Sequence, residues 1–399
     1  MTNLSYAATY LFEKSQSADA TKLLQIQNNI EDIIFDYSRR TNKDGFAKTL
    51  LFDKNICDAT DRDANICTAC VSVCESSAIV FDGAAKQISI SFADCTACQK
   101  CVSVCPTGAL EESEYNLEAM VAMLEACEGR GLLVASEADL VSFAGEVPDN
   151  TVIFCAPNYS FLNELYLSLF AFKTGGAVYF TSKEILPVAL QESIENTNRL
   201  FEAFGKKAVS FVSEGVSSQR SFEPIAKRFE NMSLRAAITE GFKALETFGT
   251  ANVESTNMFA SVNVDDRCTL CMGCAFVCKS GAFYADEKEK ALTLNESLCT
   301  GCGHCESVCP EKSIVVTKGL FRSEKSYFEL KSVAKDELFC CVECGKPFAT
   351  SKAIAKVASV FSGIFLDEDK KRTLYCCADC KPKIMLRDFA ARSAENVAR

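Results

Sequence analysis

The chain carries 24 cysteines among 399 residues and a single histidine, His304. The cysteines are bunched: "CTACVSVC" covers 67–74, "CTACQKCVSVCP" 95–106, "CTLCMGCAFVC" 268–278 and "CTGCGHCESVCP" 299–310, while "CCVEC" and "CCADC" begin at 340 and 376. Sulfurs two or three residues apart on a loop can turn toward one centre, whereas disulfides usually join distant segments, so this pattern calls for metal-thiolate chemistry. Thiolate is soft and charge-donating, which suits iron–sulfur clusters and zinc. With one imidazole in the chain, a catalytic triad built elsewhere on histidine is excluded. His304, between Cys302 and Cys305, reads as an exposed spacer, with proton-linked tuning of its neighbours as the alternative.

Sliding the chain along itself by 204 residues superimposes Cys67, Cys70, Cys74, Cys95, Cys98, Cys101 and Cys105 on Cys271, Cys274, Cys278, Cys299, Cys302, Cys305 and Cys309. The flanks agree, "SAIVFD" at 77 meeting "GAFYAD" at 281. This is an internal duplication. The second copy reads C-x2-C-x2-C-x3-C twice and resembles the bacterial two-cluster ferredoxin over about fifty residues in each copy. In that family the first three cysteines of one run and the fourth of the other hold each [4Fe–4S] cluster. The resemblance implies that Cys268, Cys271, Cys274 and Cys309 bind one cluster and Cys299, Cys302, Cys305 and Cys278 another, with Cys95, Cys98, Cys101 and Cys74 a third. The proline usual after the fourth cysteine is kept as Pro106 and Pro310 but replaced by Glu75 and Lys279, which leaves the local backbone geometry at Cys74 and Cys278 open.

The fourth set departs from the pattern. The counterpart of Cys268 is Ala64, so Cys67, Cys70 and Cys105 lack their usual partner. Cys57, seven residues upstream, is the nearby replacement, and the intervening "DATDRDANI" is polar and turn-prone enough to loop out and bring the chain back. The alternatives are a three-iron cluster or an iron open to a non-cysteine ligand.

The elements that position these runs follow from the pattern around them. "AIVFDGAAKQISIS" and "AFYADEKEKALTLN" each read as two short strands about a polar turn, the hairpin of a ferredoxin module. Between the modules, "LLVAS", "TVIFCA", "AVYFT" and "AVSFV" alternate with the helical "NLEAMVAMLEAC", "SFLNELYLSLFAF" and "LPVALQESIENTNRLFEAF", which predicts a doubly wound parallel sheet covered on both faces. The element order is similar to the delta-subunit domain of methanogen-type hydrogenase and heterodisulfide reductase complexes, without that family's cluster cysteines. No G-x-G-x-x-G or Walker lysine follows a strand. Cys127 and Cys155 read as core cysteines, although Cys155 ends a strand where open α/β sheets often place ligands. At the C-terminus, Cys341, Cys344, Cys377 and Cys380 make two knuckles of a structural zinc ribbon, with rubredoxin-type iron as the alternative, and Cys340 or Cys376 stands close enough to replace a knuckle ligand. "SKAIAKVASVFSGIF" between the knuckles reads as an amphipathic helix.

The expected fold class is thus mixed α+β and α/β, with two ferredoxin-like modules flanking a doubly wound domain and a small zinc ribbon. Its expected divisions are a helical segment over 1–50 centred on "TKLLQIQNNIEDIIFDY", a first ferredoxin module over 51–116, the α/β scaffold over 117–250, a second module over 251–320, and the ribbon with its tail over 321–399. The formal charge of −11 argues against a nucleic-acid partner. The most apolar window, 159–180, is interrupted by Asn163, Glu164, Lys173 and a glycine pair, so no membrane span is expected, and the start of the chain reads as that of a cytoplasmic protein. What the resemblance implies is a polyferredoxin-like, non-catalytic subunit with four [4Fe–4S] clusters and one zinc. It would carry single electrons between an oxidoreductase of formate dehydrogenase, hydrogenase or heterodisulfide-reductase type and another redox partner. The alternatives are a flavin- or nucleotide-dependent oxidoreductase using the α/β domain, and an iron–sulfur redox sensor or maturation factor.

Overall fold

The computed structural model describes residues 12–13, 50–62, 66–113 and 115–397, apart from 128, 137–138, 141–146, 157, 182, 184, 213–219, 228, 230–231, 287 and 362–367. Of the segment 1–50 expected to be helical, "TKLLQIQNNIEDIIFDY" at 21–37 lies outside this set, whereas Phe12–Glu13 and Leu50 are strand, each paired to another strand. The chain divides into two compact units, each discontinuous in sequence. The first is Met1–Ser261 with Glu296–Gly303 and Val316–Glu329; the second is Val262–Asn295 with His304–Val315 and Leu330–Arg399.

The first unit is built on a five-stranded sheet. Its strands are β1 (Phe12–Glu13), β2 (Gly131–Ala135), β3 (Thr151–Cys155), β4 (Val178–Phe180) and β5 (Val209–Phe211), in the order β1-β3-β2-β4-β5. β2 to β5 pair in parallel, with Leu132 opposite both Val152 and Val178, and β1 adds an antiparallel edge. The helices α1 (Leu117–Ala126), α2 (Glu164–Thr174), α3 (Val188–Glu202) and α4 (Leu234–Ala244) follow in the intervals between and after the strands. Because side chains alternate along a strand, the sheet feeds two clusters. Leu132, Val134, Phe154 and Phe180 enter the large core, while Leu133, Ala177 and Tyr179 pack with Leu140, Val147 and Ile153.

α2 is buried along its whole length, the charged Glu164 and Lys173 near its ends included. It starts where Asn163 accepts hydrogen bonds from the Leu165 and Tyr166 backbone N–H groups, and it stops at Gly175 in the left-handed conformation (φ +70°). A Cβ on Gly175 would meet the Phe222 carbonyl at 2.2 Å. Around α2 the core is aromatic: Phe172, Phe201 and Phe242 pack within 5.0–5.4 Å of one another, and Phe242 continues onto Phe321.

Onto this unit the first cysteine-rich segment adds a hairpin, Ile79–Asp82 against Gln87–Ile90, and an antiparallel pair, Leu50–Phe52 against Leu110–Glu112. The second unit repeats the hairpin as Phe283–Asp286 against Ala291–Leu294. The turn chemistry repeats too. Asp82 accepts from the N–H groups of Ala84 and Ala85, and Asp286, 204 residues on, from those of Lys288 and Glu289. The second hairpin gains a third strand, Lys331–Lys335. Beyond it lie the pair Leu338–Cys340 and Pro347–Thr350, and the helices Ser351–Phe361, Glu368–Thr373 and Lys381–Val397. Among the described residues no helix is long and apolar enough to cross a membrane.

Candidate metal centres

Cys57, Cys67, Cys70 and Cys105 line one small pocket, closed by Ala59, Ile88 and Leu110. Cys57 stands on the turn after Leu50–Phe52, where the Thr60 N–H donates to its carbonyl at 3.2 Å. Cys70 lies in the one-turn helix Ala69–Ser72, and Cys105 follows its counterpart Lys100–Ser103. Burial pushes the Cys67 thiol up to about 11 and the Cys70 thiol up to about 12, and repulsion from the Cys57 and Cys105 sulfurs adds to both. Cys57 is raised by burial as well, against the opposing pull of the Ala59 N–H. Four thiols held this close in a dry pocket ionise together only if a cation neutralises them, which is what an iron–sulfur core provides.

The second run of the first segment makes a companion set. Burial takes Cys101 up to about 12, with repulsion from Cys95, Cys98 and Cys74. The Cys70 thiol also feels Cys101, so the two sets adjoin. In the second unit, Cys268 is raised by burial and by Cys271 and Cys309, and Cys274 is taken up to about 12 by burial and by Cys268 and Cys271. Of the remaining four, Cys278 and Cys305 belong to the second unit and Cys299 and Cys302 to the first.

The last cysteine of every run has a hydroxyl beside its sulfur. The pairs are Cys74–Ser76 at 3.7 Å, Cys105–Thr107 at 3.4 Å, Cys278–Ser280 at 3.5 Å and Cys309–Ser313 at 3.4 Å. Burial works against ionisation at Cys74 and Cys309, but it is outweighed by these hydroxyls and by backbone N–H groups, so both thiols fall below their ordinary value. Sequence reasoning passed over these hydroxyls. The signal was there, a Ser or Thr two residues after three of the four cysteines.

At the C-terminus the Sγ atoms of Cys341, Cys344, Cys377 and Cys380 all lie within 4.8 Å of one another. The first knuckle closes through Gly345 N–H to the Cys341 carbonyl at 2.8 Å, and the second at the start of Lys381–Val397 through Lys381 N–H to the Cys377 carbonyl at 3.0 Å. Burial would raise the Cys341 thiol, yet N–H donation from Cys377, Glu343 and Cys344 lowers it to about 6. Cys380 is held up at about 12, its thiol hydrogen-bonded to Cys344. Such a donor set fits a single tetrahedral metal. Cys376 is buried next to the foursome, its thiol donating to the Arg372 carbonyl, and Cys340 is exposed on its strand.

The other singled-out residues fall as follows. Cys127 is fully buried in the core, which takes its thiol up to about 12. Cys155 is half-buried at the end of β3. His304 opens the short helix His304–Val308 and is half-buried, where the spacing alone reads as an exposed spacer.

Residues 65–109 and 267–313 each match the 4Fe-4S dicluster domain. Both stretches are therefore iron–sulfur domains of ferredoxin type. Over 57 residues, 14% of this chain, the sequence is 37% identical to an archaeal-type glutamate synthase [NADPH] of Thermotoga maritima and to its counterpart in Thermotoga sp. strain RQ2, spanning 11% of each. It shows the same identity, over an equally long stretch, to the polyferredoxin-like subunit of the aliphatic sulfonate oxidoreductase of Pyrococcus furiosus, of which it spans 33%.

Proposed function

We propose that this chain is an electron-transfer subunit that passes single electrons between a catalytic oxidoreductase partner and a second redox protein. One observation carries the reading. Cys57, absent from the usual spacing, lines the same pocket as Cys67, Cys70 and Cys105, which gives the one set that lacked its usual partner four thiols to offer. The sets are Cys57/Cys67/Cys70/Cys105, Cys74/Cys95/Cys98/Cys101, Cys268/Cys271/Cys274/Cys309 and Cys278/Cys299/Cys302/Cys305. A [4Fe–4S] cluster in each would take up and release one electron. The thiols fix the cores, the buried Ile88 and Leu110 exclude water from the first pocket, and the neighbouring hydroxyls and N–H groups hold the charge that arrives. Two sets sharing one small module, each lending its last cysteine to the other, keep the distance between them short. The polyferredoxin-like naming of the Pyrococcus relative supports a place beside a catalytic subunit. The C-terminal foursome is a structural zinc site in this reading.

The test is iron, sulfide and zinc content of anaerobically purified protein, with electron paramagnetic resonance during reductive titration. About sixteen iron, sixteen sulfide and one zinc per chain are expected. Cys57→Ala should lose one cluster or show a three-iron signal, and an unchanged iron count in that variant would remove Cys57 from the ligand set.

A further inference from the structure

The insertion that sets Cys57 apart carries two buried charges, and both reach the neighbourhood of Cys299 and Cys302. Asp58, 2% exposed, accepts a hydrogen bond from the Thr300 hydroxyl at 2.6 Å. Arg62, 5% exposed, places Nη1 3.8 Å from Asp58 Oδ1 and donates from it to Cys302 Sγ at 3.8 Å. A third buried charge comes from the α/β layer. Arg235, in the first turn of α4, turns its guanidinium to main-chain carbonyls. Nε and Nη2 donate to Pro106 O at 3.0 and 2.6 Å, Nη1 to Cys299 O at 3.1 Å and Ser297 O at 3.4 Å, and Nη2 also to Met258 O. All these residues belong to the first unit.

The placement is economical. Asp58 follows Cys57, Pro106 follows Cys105 and Thr300 follows Cys299, so the Asp58–Thr300 bond and the Arg235 bridge from Pro106 to Cys299 join main chain at or next to cysteines of two sets, while Arg62 reaches the Cys302 sulfur itself. Charges this buried are costly unless compensated, and here the compensation is spent on joining two cysteine-rich runs far apart in sequence. It also accounts for the displaced cysteine. With the ligand at position 57, the chain between Cys57 and Cys67 has room for Asp58 and Arg62.

We propose that Asp58, Arg62, Thr300 and Arg235 form a junction within the first unit at which electrons cross between the cluster that Cys57 and Cys105 serve and the one that Cys299 and Cys302 serve. The proposal rests on the electron-transfer reading above and adds to it the order of the sets and the residues that bias the crossing. The crossing is a one-electron exchange: one set is oxidised by one unit, the other reduced by one, and no proton or ligand changes place. The charges differ on the two sides: Arg62, at the Cys302 sulfur, favours the more negative, reduced state there, whereas the Asp58 carboxylate beside Cys57 disfavours it, so Arg62, Asp58 and Arg235 act as positioning residues that bias the electron toward the Cys302 side.

Reductive titration of the full, cluster-loaded chain carrying Arg62→Gln tests this. Iron and sulfide should match the native chain, while one cluster alone becomes harder to reduce. Its reduced-to-oxidised ratio at a fixed potential should fall about tenfold, about 59 mV for one electron, the effect of losing a hydrogen bond to a charged group. In a Cys302→Ala background the same substitution should shift nothing, because the site it acts on is gone. Should Arg62→Gln fail to fold, Arg62→Lys keeps the charge beside Asp58, withdraws the planar donor, and should give a smaller shift of the same sign. Thr300→Val leaves every thiol in place and should still move the resonance of the first-module cluster, identified as the one lost in Cys57→Ala. Four intact clusters with no selective shift in any variant would overturn the junction and leave the electron-transfer reading standing. A native chain without iron would overturn both.

Discussion

At the scale of single residues, the sulfurs and the groups facing them decide what each centre does. Ser313 illustrates this: its hydroxyl stands 3.4 Å from Cys309 Sγ and its N–H donates to the same sulfur at 3.4 Å. Ser313→Ala removes the hydroxyl and keeps the N–H, so the cluster held with Cys309 should become harder to reduce by about 1.5 kcal/mol, with the other clusters unmoved in an optical or resonance titration. A buried carboxyl gives a second prediction. Glu164 is fully buried, and its Oε1 accepts from Asn196 Nδ2 at 2.7 Å and from the Asn257 N–H at 3.0 Å. Burial raises its pKa above the ordinary 4.5, against those hydrogen bonds. The folded state thus binds this proton more tightly than the unfolded chain, and the stability gained is full below the ordinary carboxyl range and lost as pH rises through the raised value. Glu164→Gln keeps the acceptor without the charge, so denaturant midpoints measured from acid to neutral pH should lose that decline, and a decline as steep as the native chain's would count against a buried, titrating carboxyl. The thiols were legible at this scale because spacing in the sequence is spacing on a loop. Arg235 was not, because its partners lie at 106, 258, 297 and 299 and no local pattern connects them.

At the scale of elements, the duplication extends into backbone conformation. Gly301 and Gly303 are left-handed (φ +72° and +75°), and their counterparts 204 residues earlier, Ala97 and Gln99, are held in the same region (φ +55° and +62°). An L-residue there is strained by about 1 kcal/mol, a cost that glycine avoids. Ala97→Gly should therefore stabilise the first module by up to about 1 kcal/mol, less the extra freedom of the unfolded glycine, seen as slower cluster loss in denaturant. A faster loss would mean that the alanine methyl makes packing contacts worth more than the strain. The parallel strands were legible for the reason that makes them stable: each is a short apolar run buried on both faces, bounded by turns. The third strand of the second hairpin was not. Lys331–Lys335 reads KSVAK, with no polar–apolar alternation, and it is a strand because Ala291–Leu294 pairs with it.

At the scale of the molecule, the sequence divides by motif and the structure divides by packing. The stretch Glu296–Gly303, which spacing assigns to the second ferredoxin module, belongs to the first unit through Arg235 and Asp58, and such long-range bonds leave no trace in periodicity. Within the second unit, the C-terminal foursome is likewise tied to a cluster loop. Thr350 Oγ1 donates to the carbonyl of Thr269, the residue after Cys268; Lys352 Nζ donates to the Asp266 carbonyl at 3.0 Å; and Lys356 pairs with Glu311 at 2.6 Å. Metal in the foursome should therefore protect the centre that Cys268 serves. Binding needs thiolates: Cys341, lowered to about 6, is already ionised near neutrality, whereas Cys380, at about 12, must give up its proton to the solvent. Affinity should thus rise with pH and fall away as pH drops below about 6, where Cys341 takes up its own proton. Competition with a chelator across that range measures the first expectation. Cys344→Ser measures the second: it should release the C-terminal metal and make one of the four clusters, the one missing in Cys268→Ala, the first to bleach in air. If all four bleach at native rates after the metal has gone, the foursome stabilises only its own knuckles, and Thr350 and Lys352 are surface contacts without consequence for the cluster loop.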